Sequence, residues 1–252
     1  MDRSKVPAVL SIAGSDSSGG AGIQADIKTI TAHRLYAETA ITAITAQNTL
    51  GVTAVQDISP DIVAAQIDAV FDDIRPNAVK IGMVSSAEII EVIAERLSAW
   101  DAQNIVVDPV MVATSGARLI AEDAAEALTH CLFPLATVIT PNIPEAMALL
   151  DYEVDSERTQ QNAAMLLTRR FGCASLVKVG ILSTRPTMYW PNPRHSITKA
   201  TIWAIRSPRG SATSASRPAT RMAPAARFHP PSPAHWRRAW ILPTPSTPAR
   251  PT

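Results

Sequence analysis

Two apolar rhythms alternate along residues 8–180. Short runs rich in Val, Ile and Ala are separated by longer stretches whose apolar positions recur every three or four residues, the signature of parallel strands joined by crossover helices. Residues 8–13 (AVLSIA) predict a buried strand, followed by a glycine-rich loop and a helix over 21–33. Residues 39–46 alternate Thr and Ala with Ile and predict a half-buried strand; 52–58 predict another. Pro60 opens a helix whose apolar face includes Val63, Ile67, Val70 and Phe71. Further strands are expected at 78–81, 105–107, 137–140 and 175–179, and further helices at 87–100, near 121–132, and at 145–150 and 157–171. The fold class is α/β: a doubly wound, mostly parallel sheet with helices on both faces.

After Gly180 the rhythm stops. Residues 181–252 hold 13 of the 20 prolines and one of the ten glycines, and keep no period of two or 3.6. Proline removes backbone donors and breaks helices, so this segment is expected to be largely irregular. Two domains follow: a folded body over 1–180 and a Pro/Arg-rich tail over 181–252.

Charge marks the same boundary. The formal net charge of +1 conceals that residues 1–180 hold all 22 Asp and Glu but 12 of the 23 Lys and Arg, leaving the tail with 11 basic residues and no acid. A run of about 18 apolar residues, as a membrane span needs, does not occur. The amino terminus carries no long apolar stretch of the signal-peptide kind, so a cytoplasmic location is expected. Cys131 and Cys173 lack CxxC spacing and read as buried free thiols.

Ligands of open α/β sheets bind at the carboxyl ends of the strands, which directs attention to the loops that follow each one. The first, residues 14–22 (GSDSSGGAG), runs into Ile23-Gln24-Ala25-Asp26. Glycines let backbone amides approach a ligand, and a helix amino terminus favours anions, although a plain tight turn fits the same residues. Gln47 and Asn48 end a strand; a carboxamide suits the edge of a heterocyclic base, and equally caps a turn before Gly51. Asp108, at the end of the 105–107 strand, can hold a metal or a proton, or merely terminate the strand. Asn142 and Glu145 follow the next strand, with Glu145 also fitting the role of a first-turn acid facing the helix dipole. Lys178 near the last strand is a phosphate contact or a surface lysine.

Taken in order, GSDSSGGAGIQAD over 14–26, Ala46-Gln47-Asn48-Thr49, Lys80-Ile81-Gly82-Met83, Val107-Asp108-Pro109-Val110-Met111, Thr140-Pro141-Asn142 with Glu145-Ala146, and Val177-Lys178 resemble the hydroxymethylpyrimidine/phosphomethylpyrimidine kinases of thiamine biosynthesis, ribokinase-like enzymes. The resemblance covers residues 8–180. It implies ATP- and Mg²⁺-dependent phosphorylation of 4-amino-5-hydroxymethyl-2-methylpyrimidine and then of its monophosphate, and a homodimer. By motif, Gln47 would bond the aminopyrimidine edge, Gly14 and Asp26 would face the hydroxymethyl side, and Met83 and Val110 would pack the ring. Asp108 and Glu145 would organise the metal, Asn142 the nucleotide phosphates, and Lys178 would lie close to the nucleotide. Phosphoryl transfer needs mainly positioned cations and donors, which agrees with that set.

The resemblance fails beyond Lys178. The family continues with Gly-Gly-His and later a Gly-Thr-Gly-Cys loop, whose amides form an anion hole and whose cysteine is the proposed base; here Val179-Gly180-Ile181 follow and no Gly-Thr-Gly-Cys occurs, so no catalytic residue is identified. Regrouping the codons of residues 219–233 by one base lets Thr220 to Pro233 spell Asn-Thr-His-Gly-Thr-Gly-Cys-Thr-Leu-Ser-Ser-Ala-Ile-Ala, the missing loop and its helix. Loss of one G from codons for Lys-Gly-Gly-His yields Lys-Val-Gly-Ile, so both ends require the same shifted frame. The tail thus reads as a frameshifted carboxyl half. Two other readings compete: a remnant that binds the pyrimidine without turnover, and a nucleic-acid binder using the tail's arginines with Trp190, Trp203, Trp236 and Trp240.

Overall fold

The computed structural model describes residues 6–111, 120–178 and 187–189. Eight strands form one sheet in the order β3-β2-β1-β4-β5-β6-β7-β8. In chain order these are β1 (Ala8–Asp16), β2 (Tyr36–Asn48), β3 (Gly51–Asp57), β4 (Ala78–Ile81), β5 (Ile105–Val107), β6 (Val138–Ile139), β7 (Ala174–Val177) and β8 (Thr187–Tyr189). All neighbours pair parallel except β3 on β2 and β8 on β7, which close the two edges antiparallel.

Strand order reverses beside β1. Parallel crossovers keep a right hand, so α1 (Gly22–Ala32), leading from β1 to β2, lies on one face. The helices α2 (Pro60–Asp73), α3 (Ala87–Ala99), α4 (Glu122–Ala127), α5 (Ile143–Leu150) and α6 (Glu157–Phe171) return the other way and cover the opposite face. Burial follows this split. Leu10, Ile12, Val79, Ile81, Val107 and Ile139 join the large core beneath α2–α6, whereas Val9, Val106, Val138 and Ala174 form a second cluster with Ile30 of α1.

The periodic segments fold largely as expected. β1 runs on to Asp16, so residues 14–16 are strand and not loop, and β2 is longer at both ends than the expected 39–46. Three further departures stand out. The helix expected near 121–132 keeps α-helical geometry only over Glu122–Ala127, then widens to a π-turn over Leu128–Leu132. There the Thr129 hydroxyl and the His130 ring both bond the Glu126 carbonyl, competing with the helical ladder. Helix α5 begins at Ile143, two residues earlier than expected, because Asn142 caps it and Pro144 suits a first turn. A third departure lies beyond Gly180, where Thr187–Tyr189 form β8 against β7; an edge strand tolerates the prolines flanking it because one side of its backbone needs no ladder. The boundary at 180 and the rest of the tail lie outside the described residues. Helix α6 keeps the expected bounds, fixed by the Ser156 capping box and by Gly172 at φ 73° after its end.

Both cysteines are free, with Cys173 buried and Cys131 half-buried. Burial pushes the Cys173 thiol up to about 11. Among the described residues no helix is long and apolar enough to cross a membrane.

One buried acid has a pH-dependent cost. Glu38 on β2 is 8% exposed, and its Oε2 lacks a hydrogen-bond partner among the described residues. Burial, reinforced by Asp73 at the end of α2, pushes its carboxyl from 4.5 up to about 7. The folded state therefore holds a proton that the unfolded chain has released. This contribution is fully present below pH 4.5 and is lost as pH rises through about 7. Glu38→Gln should raise the melting temperature by a few degrees at about pH 8 and leave it nearly unchanged at about pH 4.5. Circular-dichroism melts at both pH values check this, and a pH-independent difference would contradict it.

Candidate active site

The expected site residues gather along one edge, where strands β1, β2, β4, β5, β6 and β7 end. That is the carboxyl edge beside a strand-order reversal, where open α/β sheets bind ligands. The residues fall into two groups, one at β1, β2 and β4 and the other at β5, β6 and β7.

In the first group the β1–α1 loop is built around Asp16. Its buried carboxylate accepts the amides of Ser18 (2.8 Å), Gly20 (3.0 Å) and Ala21 (2.8 Å), and the Ser18 hydroxyl. Burial would raise its pKa, but these hydrogen bonds outweigh that and hold it below the ordinary carboxylate value. The loop amides leading up to α1, as far as its N-cap Ala21, are thus already occupied by a side chain of the loop itself. Gln24 closes the turn by accepting the Asp16 amide at 2.8 Å and donating to the Ser15 hydroxyl at 2.7 Å.

Glycines let this loop fold tightly. A Cβ on Gly22, whose φ is +56°, would lie 2.3 Å from the Gly14 carbonyl oxygen. Gly14 sits where the β1–β2 register shifts, and a Cβ there would meet the Met83 Cε at 3.0 Å. Gly14 and Met83 therefore face each other across the ends of β1 and β4. Gln47 is tied to the loop through Ser17, whose hydroxyl donates to the Gln47 carbonyl (2.7 Å) and accepts the Gln47 amide (2.8 Å). Val110, half-buried, follows β5 one strand beyond Met83, its amide bonded to the Asp108 carbonyl at 2.8 Å.

Asp26 points from α1 onto the sheet. It is 3% exposed and accepts the Ser11 hydroxyl (2.6 Å) and the Lys80 ammonium (2.7 Å). The Lys80 Nζ lies 2.9 Å from where a Gly82 Cβ would stand, so the glycine of Lys80-Ile81-Gly82-Met83 leaves room for the lysine. Removing one partner of so buried a pair would cost about 3–5 kcal/mol.

The second group centres on Asp108. It forms an ion pair with Lys178 and accepts the Thr140 hydroxyl at 3.2 Å. Lys178 is fixed at its backbone too, donating to the Pro141 carbonyl at 2.8 Å. Asn142 and Glu145 form a capping box at the start of α5: the Asn142 side chain accepts the Glu145 amide and Glu145 Oε2 accepts the Asn142 amide, each at 2.7 Å. Glu145 is fully buried, and this box realises the helix-start role. Among the described residues no cluster of three or more His, Cys, Asp or Glu surrounds a metal position. The Asp108 carboxylate beside Lys178 nevertheless fits Mg²⁺, which takes oxygen donors and commonly keeps waters and phosphate oxygens in place of a full protein cage.

Sequence reasoning passed over Asp16, Ser17, Gln24, Lys80 and Thr140 as individual contributors. The one available signal was local: an Asp followed by Ser-Ser-Gly-Gly is composed for a side chain that bonds its own downstream amides. A groove between α2 and α3, lined by Asp68, Asp72, Arg96 and Trp100, lies toward the opposite edge, since these helices run back from the strand ends.

Sheet order, the reversal beside β1 and the two groups on one edge define an α/β protein of the ribokinase-like fold. Among solved structures, a phosphomethylpyrimidine kinase from Clostridium difficile superposes with a TM-score of 0.70 at 46% identity, over 75% of this chain and 82% of that one. A Bacillus subtilis pyridoxal kinase in an ADP complex gives 0.67 at 32% identity, over 79% and 81%. The chain matches the phosphomethylpyrimidine kinase family over residues 16–217, and it belongs to that family. A hydroxymethylpyrimidine/phosphomethylpyrimidine kinase of Rhizobium meliloti is 53% identical over 176 residues, covering 69% of this chain and 65% of the relative. The protein of the same name from Escherichia coli is 46% identical over 185 residues, covering 72% and 68%. The chain thus spans about two thirds of the length of these relatives.

Gly22→Ala tests the loop's tightness. The substitution forces both a 2.3 Å contact and a left-handed backbone on a residue with a Cβ, so it should destabilise by more than about 3 kcal/mol. Gly172→Ala, at φ +73° with open space around its Cβ, should cost about 1–2 kcal/mol. Urea unfolding of the two variants measures the difference, and equal costs would contradict the close approach.

Proposed function

We propose that the chain carries the substrate framework of an ATP-dependent kinase acting on 4-amino-5-hydroxymethyl-2-methylpyrimidine and its monophosphate in thiamine biosynthesis. The observation that carries this reading is the arrangement along one edge: Gly14, Met83 and Gln47 at one end, Asp108, Lys178, Asn142 and Glu145 at the other. Gln47 would hold the aminopyrimidine edge, Met83 and Val110 would pack the ring, and Gly14 and Asp26 would border the hydroxymethyl side. Lys178 and Asn142 would meet ATP phosphates, and Asp108 with Glu145 would hold Mg²⁺, which neutralises phosphate charge during transfer. Lys178 and Asp108 neutralise each other until a nucleotide arrives, so the ammonium is positioned in advance. The enzyme would be cytoplasmic and homodimeric. Exposed Ile44, Leu50, Val52 and Val55 on the β2–β3 ribbon offer an apolar surface for a second copy, and light scattering giving the mass of one chain would overturn that assembly.

Turnover is the part we propose to be impaired. Residues 1–180 form the kinase body and 181–252 the product of a shifted frame, in which Thr220 to Pro233 replace the Gly-Thr-Gly-Cys loop. In support, the curated relatives match over 171 to 185 of the 252 residues, about the length of that body. Losing one anion-hole donor alone slows a reaction by about 10²–10³-fold, and here the whole loop is replaced. The alternative of a pyrimidine-binding remnant is the limiting case of this reading. A tail that binds nucleic acid would use Trp190, Trp203, Trp236 and Trp240, which lie outside the described residues.

Restoring one G after the Lys178 codon should regenerate Gly-Thr-Gly-Cys in the coding DNA. The restored protein should phosphorylate hydroxymethylpyrimidine at least about 10²-fold faster than the chain as written, in an assay for phosphorylated product. Equal rates would overturn the impairment, and an inactive restored protein would overturn the kinase reading.

A further inference from the structure

Thr45 lies beneath the Gln47 carboxamide, and its single proton has two claimants. The side chain is buried. Its Oγ1 stands 2.9 Å from the Ser15 carbonyl oxygen and 3.1 Å from the Oε1 end of the Gln47 amide. A hydroxyl donates once, so it cannot supply both. The two ends of a carboxamide have the same shape, and the proton count decides which one faces the hydroxyl. If Thr45 donated to Gln47, its oxygen would face the Ser15 carbonyl at 2.9 Å with no proton between two sets of lone pairs. If it donates to Ser15, the Gln47 Nε2 turns toward Thr45 and donates to it, and each short contact carries one proton. Ser17 adds to the constraint by gripping the Gln47 backbone from both sides, so the amide cannot escape by moving its strand.

We infer that Thr45 is a positioning residue that fixes the orientation of the Gln47 carboxamide and thereby sets which pyrimidine edge the site accepts. The lock leaves Oε1 and the second Nε2 proton for a ligand. A 4-aminopyrimidine offers the complement, an exocyclic donor beside a ring-nitrogen acceptor; a 4-oxopyrimidine offers the reverse, an acceptor beside a ring N–H donor. A freely rotating glutamine serves both, whereas a locked one leaves the oxo ring facing like groups, a mismatch that binding sites reject strongly. This rests on the proposed reading that Gln47 holds the pyrimidine edge, but the orientation of the amide does not.

Two measurements on the full chain keep those levels apart. In ligand-free protein with labelled Gln and Thr, nuclear Overhauser contacts should connect the Gln47 Nε2 protons to the Thr45 methyl group, and Thr45→Ser should preserve a protected Nε2 proton that Thr45→Val loses. Absence of the contact in the parent chain overturns the inference whatever the ligand results. In calorimetric titrations, the parent chain and Thr45→Ser should prefer 4-amino-5-hydroxymethyl-2-methylpyrimidine over its 4-oxo analogue by more than about tenfold, and Thr45→Val should bring the two within about threefold. Thr45→Val discriminating as sharply as the parent overturns the specificity role. A parent chain that shows the contact yet binds neither pyrimidine upholds the amide orientation and overturns the specificity role together with the proposed substrate.

Discussion

Crossovers between parallel strands keep one hand, and a chain stepping from β1 to β2 in one direction and from β4 onward in the other must place α1 on the face opposite α2–α6. That constraint opens the sheet at its carboxyl edge beside β1, and the loop between β1 and α1 spans the opening. Gly22 lets the loop turn back against Gly14, and the Asp16 carboxylate gathers its amides. With the loop held, Ser17 reaches Gln47 on β2, Gly14 faces Met83 after β4, and Asp26 descends to Lys80. A change in the turn at Gly22 would therefore propagate to three strands.

The occupation of the Ser18, Gly20 and Ala21 amides by Asp16 alters the chemistry expected of this loop. A glycine-rich turn before a helix suggests an anion site, but here the anion is built in. On the proposed reading the loop would border a neutral ring, with the charged groups two to four strands away at Asp108, Glu145 and Lys178. Such a division suits a reaction in which a heterocycle is held at one end of a cleft while phosphates are neutralised at the other.

Much of this was legible in the sequence for identifiable reasons. Helix α6 was readable to the residue because Ser156 and Gly172 bracket an apolar period, and β4 because Ala78–Ile81 is a wholly buried run between polar turns. The positions at the strand ends were readable from their motifs, since ligands meet this fold at the carboxyl edge. Side-chain partnerships across strands were not. Thr45 reads as one more residue of an alternating strand, and its contact with Ser15 exists only once β1 and β2 pair. Lys80 reads as a charge in a buried run, and its partner Asp26 lies 54 residues earlier on α1. β8 was obscured because its three residues stand among prolines, where local propensity opposes a strand that pairing with β7 supplies.

The central claim is that the pyrimidine half of the site is complete within the ends of β1, β2, β4 and β5 and independent of the residues after Lys178. A calorimetric titration of 4-amino-5-hydroxymethyl-2-methylpyrimidine into the full chain tests it most directly, with Gln47→Leu as the comparison. The account predicts saturable one-site binding by the chain as written, lost in Gln47→Leu while the unfolding midpoint stays the same. Absence of binding by the chain, or equal binding by Gln47→Leu, would contradict it.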